Sequence, residues 1–337
     1  MPRVCIVPAV EGTGGMASFR AKFEAGLQKR GIGVHHNPEE ESDAILVIGG
    51  TRHLLPLWQA KRRGRRVVQR LDGINWVHRK RKTGIKHFLR AEYGNLLLSL
   101  IRRRVATHIV YQSQFSKTWW EDWYGPTRTS SRVIHNGVDL AIYSPNGPQQ
   151  RPSERIRLLL VEGSLGGGYD MGLDNALRLA ETLQEARGFP MELMVVGKIT
   201  QEHRERVGAH SKIPILWAGA VPHERIPEID RSAHLFFSAD INPACPNAVI
   251  EALACGLPVA AFDTGALNEL VLGDSGRLVP YGSDLWKLEP PDIPALAVAC
   301  VEILRRQERF RKAARARAEK CLGLDKMVDA YLKFLLE

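Results

Sequence analysis

Cys245-Pro-Asn-Ala-Val-Ile-Glu-Ala-Leu-Ala-Cys-Gly-Leu-Pro-Val259 reads as a loop, a short helix, a glycine stop and a strand. Just upstream, the apolar run Ala233 to Ser238 has the length of a buried strand. The polar, proline-containing segment Asp240 to Pro246 can then open a helix at Asn247, whose side-chain oxygen suits an N-cap. The helix runs Ala248 to Cys255, stops at Gly256, and Pro258 forbids its resumption. A helix start directly after a strand offers free amides to an anion such as phosphate. Glu251 lies one turn inside, where its carboxylate can reach a ligand lying across that start; vicinal hydroxyls, as on a ribose, suit it. Taken alone, the residue would be read in preference as a solvated glutamate on an ordinary amphipathic helix; the whole fifteen-residue string is what asks for more.

The whole string resembles the donor-nucleotide motif of retaining glycosyltransferases of family four, which have the GT-B fold. Those enzymes carry Glu-x7-Glu followed by Ala-x-Ala-x-Gly-x-Pro-Val, and Glu251 through Val259 matches the second half without a gap. The first glutamate is replaced by Pro243, with Asp240 and Asn242 as its possible substitutes. The resemblance implies that Glu251 holds ribose while the amides of Asn247, Ala248 and Val249 meet phosphate and sugar.

The chain has 337 residues, enough for two domains of roughly 150 each. A hydrophobic content of 44% and a charged content of 25% are those of a globular protein. No apolar run reaches the ~20 residues that span a bilayer. The N-terminus reads as a core strand and lacks the order of a signal peptide, so a cytoplasmic location is expected. Five dispersed cysteines without a C-x-x-C pair indicate neither a zinc site nor a disulfide framework.

Near the start, Arg3 to Val10 is a strand, Glu11 to Gly15 a turn, and Met16 to Arg30 a helix with Phe19, Phe23 and Leu27 on one stripe. Gly14 and Gly15 resemble the family's Gly-Gly loop facing the donor diphosphate. A competing reading takes Gly12-x-Gly14-x-x-Ala17 as a dinucleotide fingerprint, with Glu39 as its ribose acid; that leaves the Glu251 string unexplained. Val67 to Leu71 is a strand followed by Asp72-Gly73. Strand ends in such sheets gather ligand groups, and the resemblance places Asp72 near the reacting sugar; an ordinary Asp-Gly turn is the alternative.

Residues 61–104 carry 15 Lys or Arg against Asp72 and Glu92, a net +13 that exceeds the +10 of the entire chain. Arg79 to Lys82 is followed by Ile85, Phe88 and Leu89, then by the apolar run Leu96 to Ile101. Basic residues beside apolar ones suggest a peripheral surface for an anionic membrane or a phosphorylated acceptor. A plain solvated face is the bland reading. Nucleic acid is set aside, because no nucleic-acid-binding fold is recognised.

Asn136-Gly-Val-Asp139 resembles the signature closing the N-terminal domain of the family, and the polar run 145–154 reads as the linker. The second domain opens with a strand, Ile156 to Val161, and the loop Glu162 to Gly172. There the family normally carries Arg and Lys against the diphosphate. Gly163 and Ser164 stand in that loop, glycines 166–168 could form a backbone nest, and Lys198, Arg20 or Arg70 could supply charge. Val221 falls on the turn that lies along the nucleobase in relatives. Ile293 to Glu319 reads as helical, and Asp325 to Leu336 as a last helix crossing back to the first domain.

These readings predict an α/β protein of the GT-B class, two Rossmann-like domains (1–148 and 155–322, with 323–337 returning) across a cleft. Expected is sugar transfer from a nucleotide-sugar donor, with retention, to a hydroxyl of a glycan or lipid-linked acceptor. Asp72 and Glu251 are the residues expected at the reaction. The absence of Asp-x-Asp suggests a metal-independent site with no cofactor beyond the co-substrate. In this class a diphosphate oxygen of the leaving group can take the acceptor proton. A binding protein that kept the fold and lost turnover is the alternative.

Overall fold

The computed structural model describes residues 1–12, 14–165 and 171–337. The chain forms two compact units, Met1–Gly137 with Leu324–Glu337, and Val138–Gly323.

The first unit runs β1 (Arg3–Val7), α1 (Gly15–Gln28), β2 (Gly33–His35), β3 (Ala44–Val47), α2 (Leu54–Arg62), β4 (Arg66–Leu71), α3 (Ile85–Leu100), β5 (His108–Tyr111), α4 (Gln114–Tyr124) and β6 (Ser130–Val133). All strands pair in parallel, in the order β2-β1-β3-β4-β5-β6. Parallel strands bury both faces, which is why Ala44–Val47 is apolar at every position and wholly buried. The switch in strand order falls between β1 and β3.

Helix α3 is not foreseen by the sequence reading. Its buried residues are Ala91, Asn95 and Ser99, while Ile85, Leu89, Tyr93, Leu96 and Leu100 are exposed. Polar bonds anchor it: Asn95 accepts from the Asn75 amide (3.0 Å) and donates to the Asn75 carbonyl (2.8 Å). Gln69 Nε2 donates to the Leu98 carbonyl at 3.0 Å. The basic segment is also not all surface. Arg102 is fully buried, donating to the Tyr111 hydroxyl and the Gly125 carbonyl, each at 2.8 Å.

The second unit runs β7 (Ile156–Ser164), α5 (Met171–Arg187), β8 (Met191–Lys198), α6 (Gln201–His210), β9 (Ile215–Gly219), α7 (Ile226–Ser232), β10 (Leu235–Ser238), α8 (Asn247–Ala254), β11 (Val259–Phe262), α9 (Leu267–Leu270), β12 (Gly276–Val279), α10 (Ile293–Arg305) and α11 (Gln307–Cys321). Its parallel order, β12-β11-β10-β7-β8-β9, is the doubly wound one with the switch between β7 and β10. The expected single helix from Ile293 is two helices, broken at Arg306 (φ −127°, ψ 36°). The run 145–154 is no free linker either. Arg231 donates to the Pro148 and Ser144 carbonyls (3.0 and 3.2 Å) and Arg151 returns a bond to the Arg231 carbonyl (2.9 Å), tying the run into this unit.

The last helix, α12 (Leu324–Leu336), belongs to the first unit. Tyr331 sits 5.4 and 5.2 Å from the Phe19 and Phe23 rings. Val328 fills the space left at Gly26, where a Cβ would come within 2.6 Å of its methyl. Arg30 grips the same helix through Asp325 (3.0 Å) and Asp329 (2.8 Å).

Candidate functional site

In an open α/β sheet, ligands gather beyond the strand C-termini at the switch point. In the second unit those ends carry Glu162, Gly163 and Ser164 as the last residues of β7 and Asp240 just after β10, with α8 following. Helix α8 begins at Asn247 with Pro246 as its N-cap, one residue earlier than expected. Asn247 is therefore helical itself, and the N-cap role assigned to its side chain is corrected. Its first intrahelical bond joins the Ile250 amide to the Pro246 carbonyl at 3.3 Å, so the amides of Asn247, Ala248 and Val249 precede the ladder. The far end is closed as expected: Gly256 has φ +67°, and the Leu257 amide bonds to the Ala252 carbonyl at 2.8 Å.

Glu251 is 4% exposed, on the inner side of α8. Its Oε1 lies 3.4 Å from His223 Nε2, which in turn stands 3.0 Å from the Tyr143 hydroxyl. Asp230 is buried nearby, and burial followed by the charge of Glu251 pushes its carboxyl well above the usual range. Burial, then Glu251, also raises the Tyr143 phenol. His223, Tyr143 and Asp230 escaped the sequence reading, for they lie 28, 108 and 21 residues from Glu251.

Pro243 cannot stand in for a carboxylate, and its place is fixed. The Ala266 amide bonds to the Pro243 carbonyl at 2.8 Å, and a Cβ on Gly265 (φ +58°) would come within 2.5 Å of that proline's backbone. The acids nearby are Glu162, at the end of β7, and Asp240, just past the neighbouring β10, both half-buried. Burial first, and for Glu162 also the charge of Asp240, raises Glu162 far and Asp240 to a lesser degree. A carboxyl that keeps its proton can donate a hydrogen bond as well as accept one. Asn242, the other proposed substitute, is buried with φ +57°. Its Nδ2 has no bonding partner among the described residues.

Gly163 stands where a Cβ would meet nothing within 4 Å among the described residues, and the same holds for Gly14 and Gly15 in the first unit. None of the three has a positive φ. Neither packing nor backbone demands glycine there. Gly197 differs: a Cβ would strike the Glu162 carbonyl at 2.1 Å, so it serves the β7–β8 contact. The proposed glycine nest at 166–168 lies outside the described residues.

Residues 157–306 match the model of the family "Glycosyl transferases group 1". That stretch, less than half of the chain, is similar to this family, and the two doubly wound units are those of a GT-B fold. One of the subunits of phosphatidylinositol N-acetylglucosaminyltransferase from Arabidopsis thaliana is 30% identical over 149 residues, covering 42% of this chain and 31% of that protein. The human protein of the same name matches over 28% of its length, so this chain spans about three-tenths of these curated relatives. Among solved structures, sucrose-phosphate synthase from Thermosynechococcus elongatus superposes with a TM-score of 0.73 at 17% identity, over 99% of this chain and 98% of that one. An Anabaena protein solved in complex with UDP-glucose gives 0.67 at 16%, over 99% and 100%. At such identities the two structures bear on the fold alone.

The remaining expected residues of this GT-B protein are scattered by role. Lys198, at the end of β8 and paired in register with Ser164, is exposed and makes no ion pair among the described residues. The other cations offered for the missing pair are occupied. Arg20 pairs with Glu24 at 3.4 Å. Arg70 is buried, bonded to Asn136 Oδ1 at 2.9 Å and stacked 3.9 Å over Phe19. Val221 follows the left-handed Gly219 (φ +67°) and packs against the core around α8. In the first unit Asp72 follows β4. Its carbonyl accepts from Ser116 Oγ (2.9 Å) and Trp120 Nε1 (2.8 Å). Burial raises its carboxyl above the ordinary value, opposed by the Arg70 charge.

Proposed function

We propose that this chain moves a sugar from a nucleotide-sugar donor, with retention, to a hydroxyl of a glycan or lipid-linked acceptor. One observation carries the reading: Glu251 and the amides of Asn247, Ala248 and Val249 sit together on α8, behind the switch point of a unit that matches a glycosyltransferase model. In this reading Glu251 accepts from the ribose hydroxyls and the α8 amides receive phosphate and sugar. Gly163, Ser164 and Lys198 flank the diphosphate, and Val221 the base. Gly14, Gly15 and Asp72 keep the roles that the resemblance assigns to the first unit. Glu162 and Asp240 take over hydrogen bonding to the donor sugar where Pro243 interrupts the family pattern.

A lipid-linked acceptor, reached from the cytoplasmic face of a membrane, is favoured by the basic and apolar surface of the first unit. The Arabidopsis relative is named for phosphatidylinositol. A protein that binds nucleotide sugar without turnover is the second reading, favoured by Pro243 and by the missing Arg and Lys.

Calorimetric titration with nucleoside diphosphates and with NAD, followed by NMR of the product anomer, tests these readings together. Binding of a diphosphonucleotide with transfer to an acceptor in the donor's anomeric form supports the first. Binding without transfer or donor hydrolysis supports the second, and selective binding of NAD removes both.

A further inference from the structure

Helix α3 is built inside out. The side packed on the first unit offers Ala91, Asn95 and Ser99, with Leu97 half-buried against the apolar core. The outward side offers Ile85 (76% exposed), Leu89 (62%), Tyr93 (64%), Leu96 (60%) and Leu100 (46%). These positions recur at helical spacing, so they form one stripe along four turns of helix. A stripe of that kind exposed on a globular unit marks a surface made for something apolar.

Its border is basic. Lys86 and Arg90 follow Ile85 and Leu89 directly, and Arg103 and Arg104 are exposed just past the helix. At the other end, the loop carrying Arg79, Lys80, Arg81 and Lys82 opens a cavity of about 500 Å³ lined by residues 78–85 and Phe88. The single acid on the helix, Glu92, does not face a partner. It is taken by Arg79 (2.5 and 2.7 Å) and His78 (2.7 Å), which pin the loop to the helix. Phe88 packs edge-on at 5.1 Å from the His78 ring, fixing the first turn against the same loop.

We infer that α3 lies in the interface of an anionic bilayer, with its apolar stripe among the acyl chains and the loop 79–84 seating phosphate headgroups. A second copy of this chain fits worse, since a two-fold contact would press two basic loops together. Nucleic acid would answer the charge but leave Ile85, Leu89 and Leu96 against water and phosphate. A bilayer satisfies both, because long cationic side chains bordering the stripe can reach the headgroups while their stems stay apolar. No helix among the described residues is long and apolar enough to cross a membrane. The inference deepens the peripheral placement proposed above and does not depend on the sugar chemistry.

Flotation of the full chain with phosphatidylcholine vesicles, with and without phosphatidylglycerol, tests it. The wild type should float with the anionic vesicles and not with the neutral ones. Neutralising Lys80, Lys82 and Lys86 to Gln should weaken binding by about a hundredfold, at roughly 1 kcal/mol for each charge. Leu89→Gln with Tyr93→Gln and Leu96→Gln changes only exposed positions; it should retain salt-sensitive binding at low ionic strength and lose it at high. Circular dichroism of each variant should match the wild type, so that a loss of flotation reports the surface of α3 and not its folding. Wild type that stays with the soluble fraction, or variants that float equally well, overturns the inference. So does light scattering that shows a wild-type dimer dissolved by the α3 variant, which would make a second copy the occupant.

Discussion

His223 Nε2 stands 3.4 Å from Glu251 Oε1, joining a residue of the turn after β9 to the second turn of α8. The Tyr143 hydroxyl lies 3.0 Å from the same nitrogen, so one ring nitrogen faces both the phenol and the carboxylate and fixes where the imidazole stands beside Glu251. If the imidazole positions that carboxylate, His223→Ala should weaken nucleotide binding by about tenfold or less, the scale of one hydrogen bond. Tyr143→Phe should cost less, since it leaves the ring in place. Titration calorimetry checks both, and unchanged affinity in His223→Ala would leave Glu251 positioned by its helix alone.

Asp72 couples stability to activity in opposite directions. Its folded carboxyl is raised above the ordinary 3.8, first by burial. The stability it contributes is therefore present in full below that value and lost as pH rises through the folded one. Above the folded value, Asp72→Asn removes the cost of an ionised, poorly hydrated group, and the unfolding free energy should rise by about 0.5–2 kcal/mol. Turnover should nevertheless fall by about a hundredfold with KM little changed, if the carboxylate acts on the reacting sugar. A variant equal in activity returns Asp72 to the role of a turn residue.

Glu92 has the opposite sign. Hydrogen bonding to Arg79 first, and then to His78, pulls its carboxyl from 4.5 down to about 2. This stability is present above the unfolded value and lost as pH falls towards the folded one. Because the pair faces solvent on one side, its worth is about 1 kcal/mol. Glu92→Gln should be less stable by that amount at neutral pH, and the two proteins should converge near pH 2 in urea melts. A constant difference across the acid range would mean that packing, and not the charge, holds the loop to α3.

The fold was legible where burial is symmetrical and stops are chemical. Ala44–Val47 and Val259–Phe262 are apolar at every position, and Gly256 with Pro258 ends α8 as its φ of +67° requires. Helix α3 was not legible, because most of its large apolar residues face outward and its polar anchors are Asn95 and Gln69, so hydrophobic periodicity points to the wrong side. At the site, Glu251 and the α8 amides could be found because they are local in sequence. Tyr143, His223 and Asp230 could not, since only the closure of the sheet brings three distant segments round one carboxylate. Asn247 misled for a local reason: an Asn after a proline reads as a cap, yet Pro246 holds the cap backbone (φ −70°, ψ 118°) and pushes Asn247 into the first turn.

The donor site itself is tested at Glu251. Its carboxylate is proposed to accept hydrogen bonds from both ribose hydroxyls, and a hydrogen bond to a charged group contributes about 1.5–3 kcal/mol, or about one to two decades of affinity. Glu251→Gln keeps the size and helix propensity of the side chain and removes one acceptor oxygen, so α8 should survive. Nucleotide affinity should fall by roughly one to two decades whichever sugar is attached. The 2′,3′-dideoxy nucleotide should bind wild type weakly and hardly distinguish it from the variant. General instability would weaken both ligands alike, so the pair of titrations separates ribose recognition from a folding defect. If Glu251→Gln binds the ordinary nucleotide as tightly as wild type, the nucleotide does not lie across α8, and the proposed reaction loses the observation that carries it.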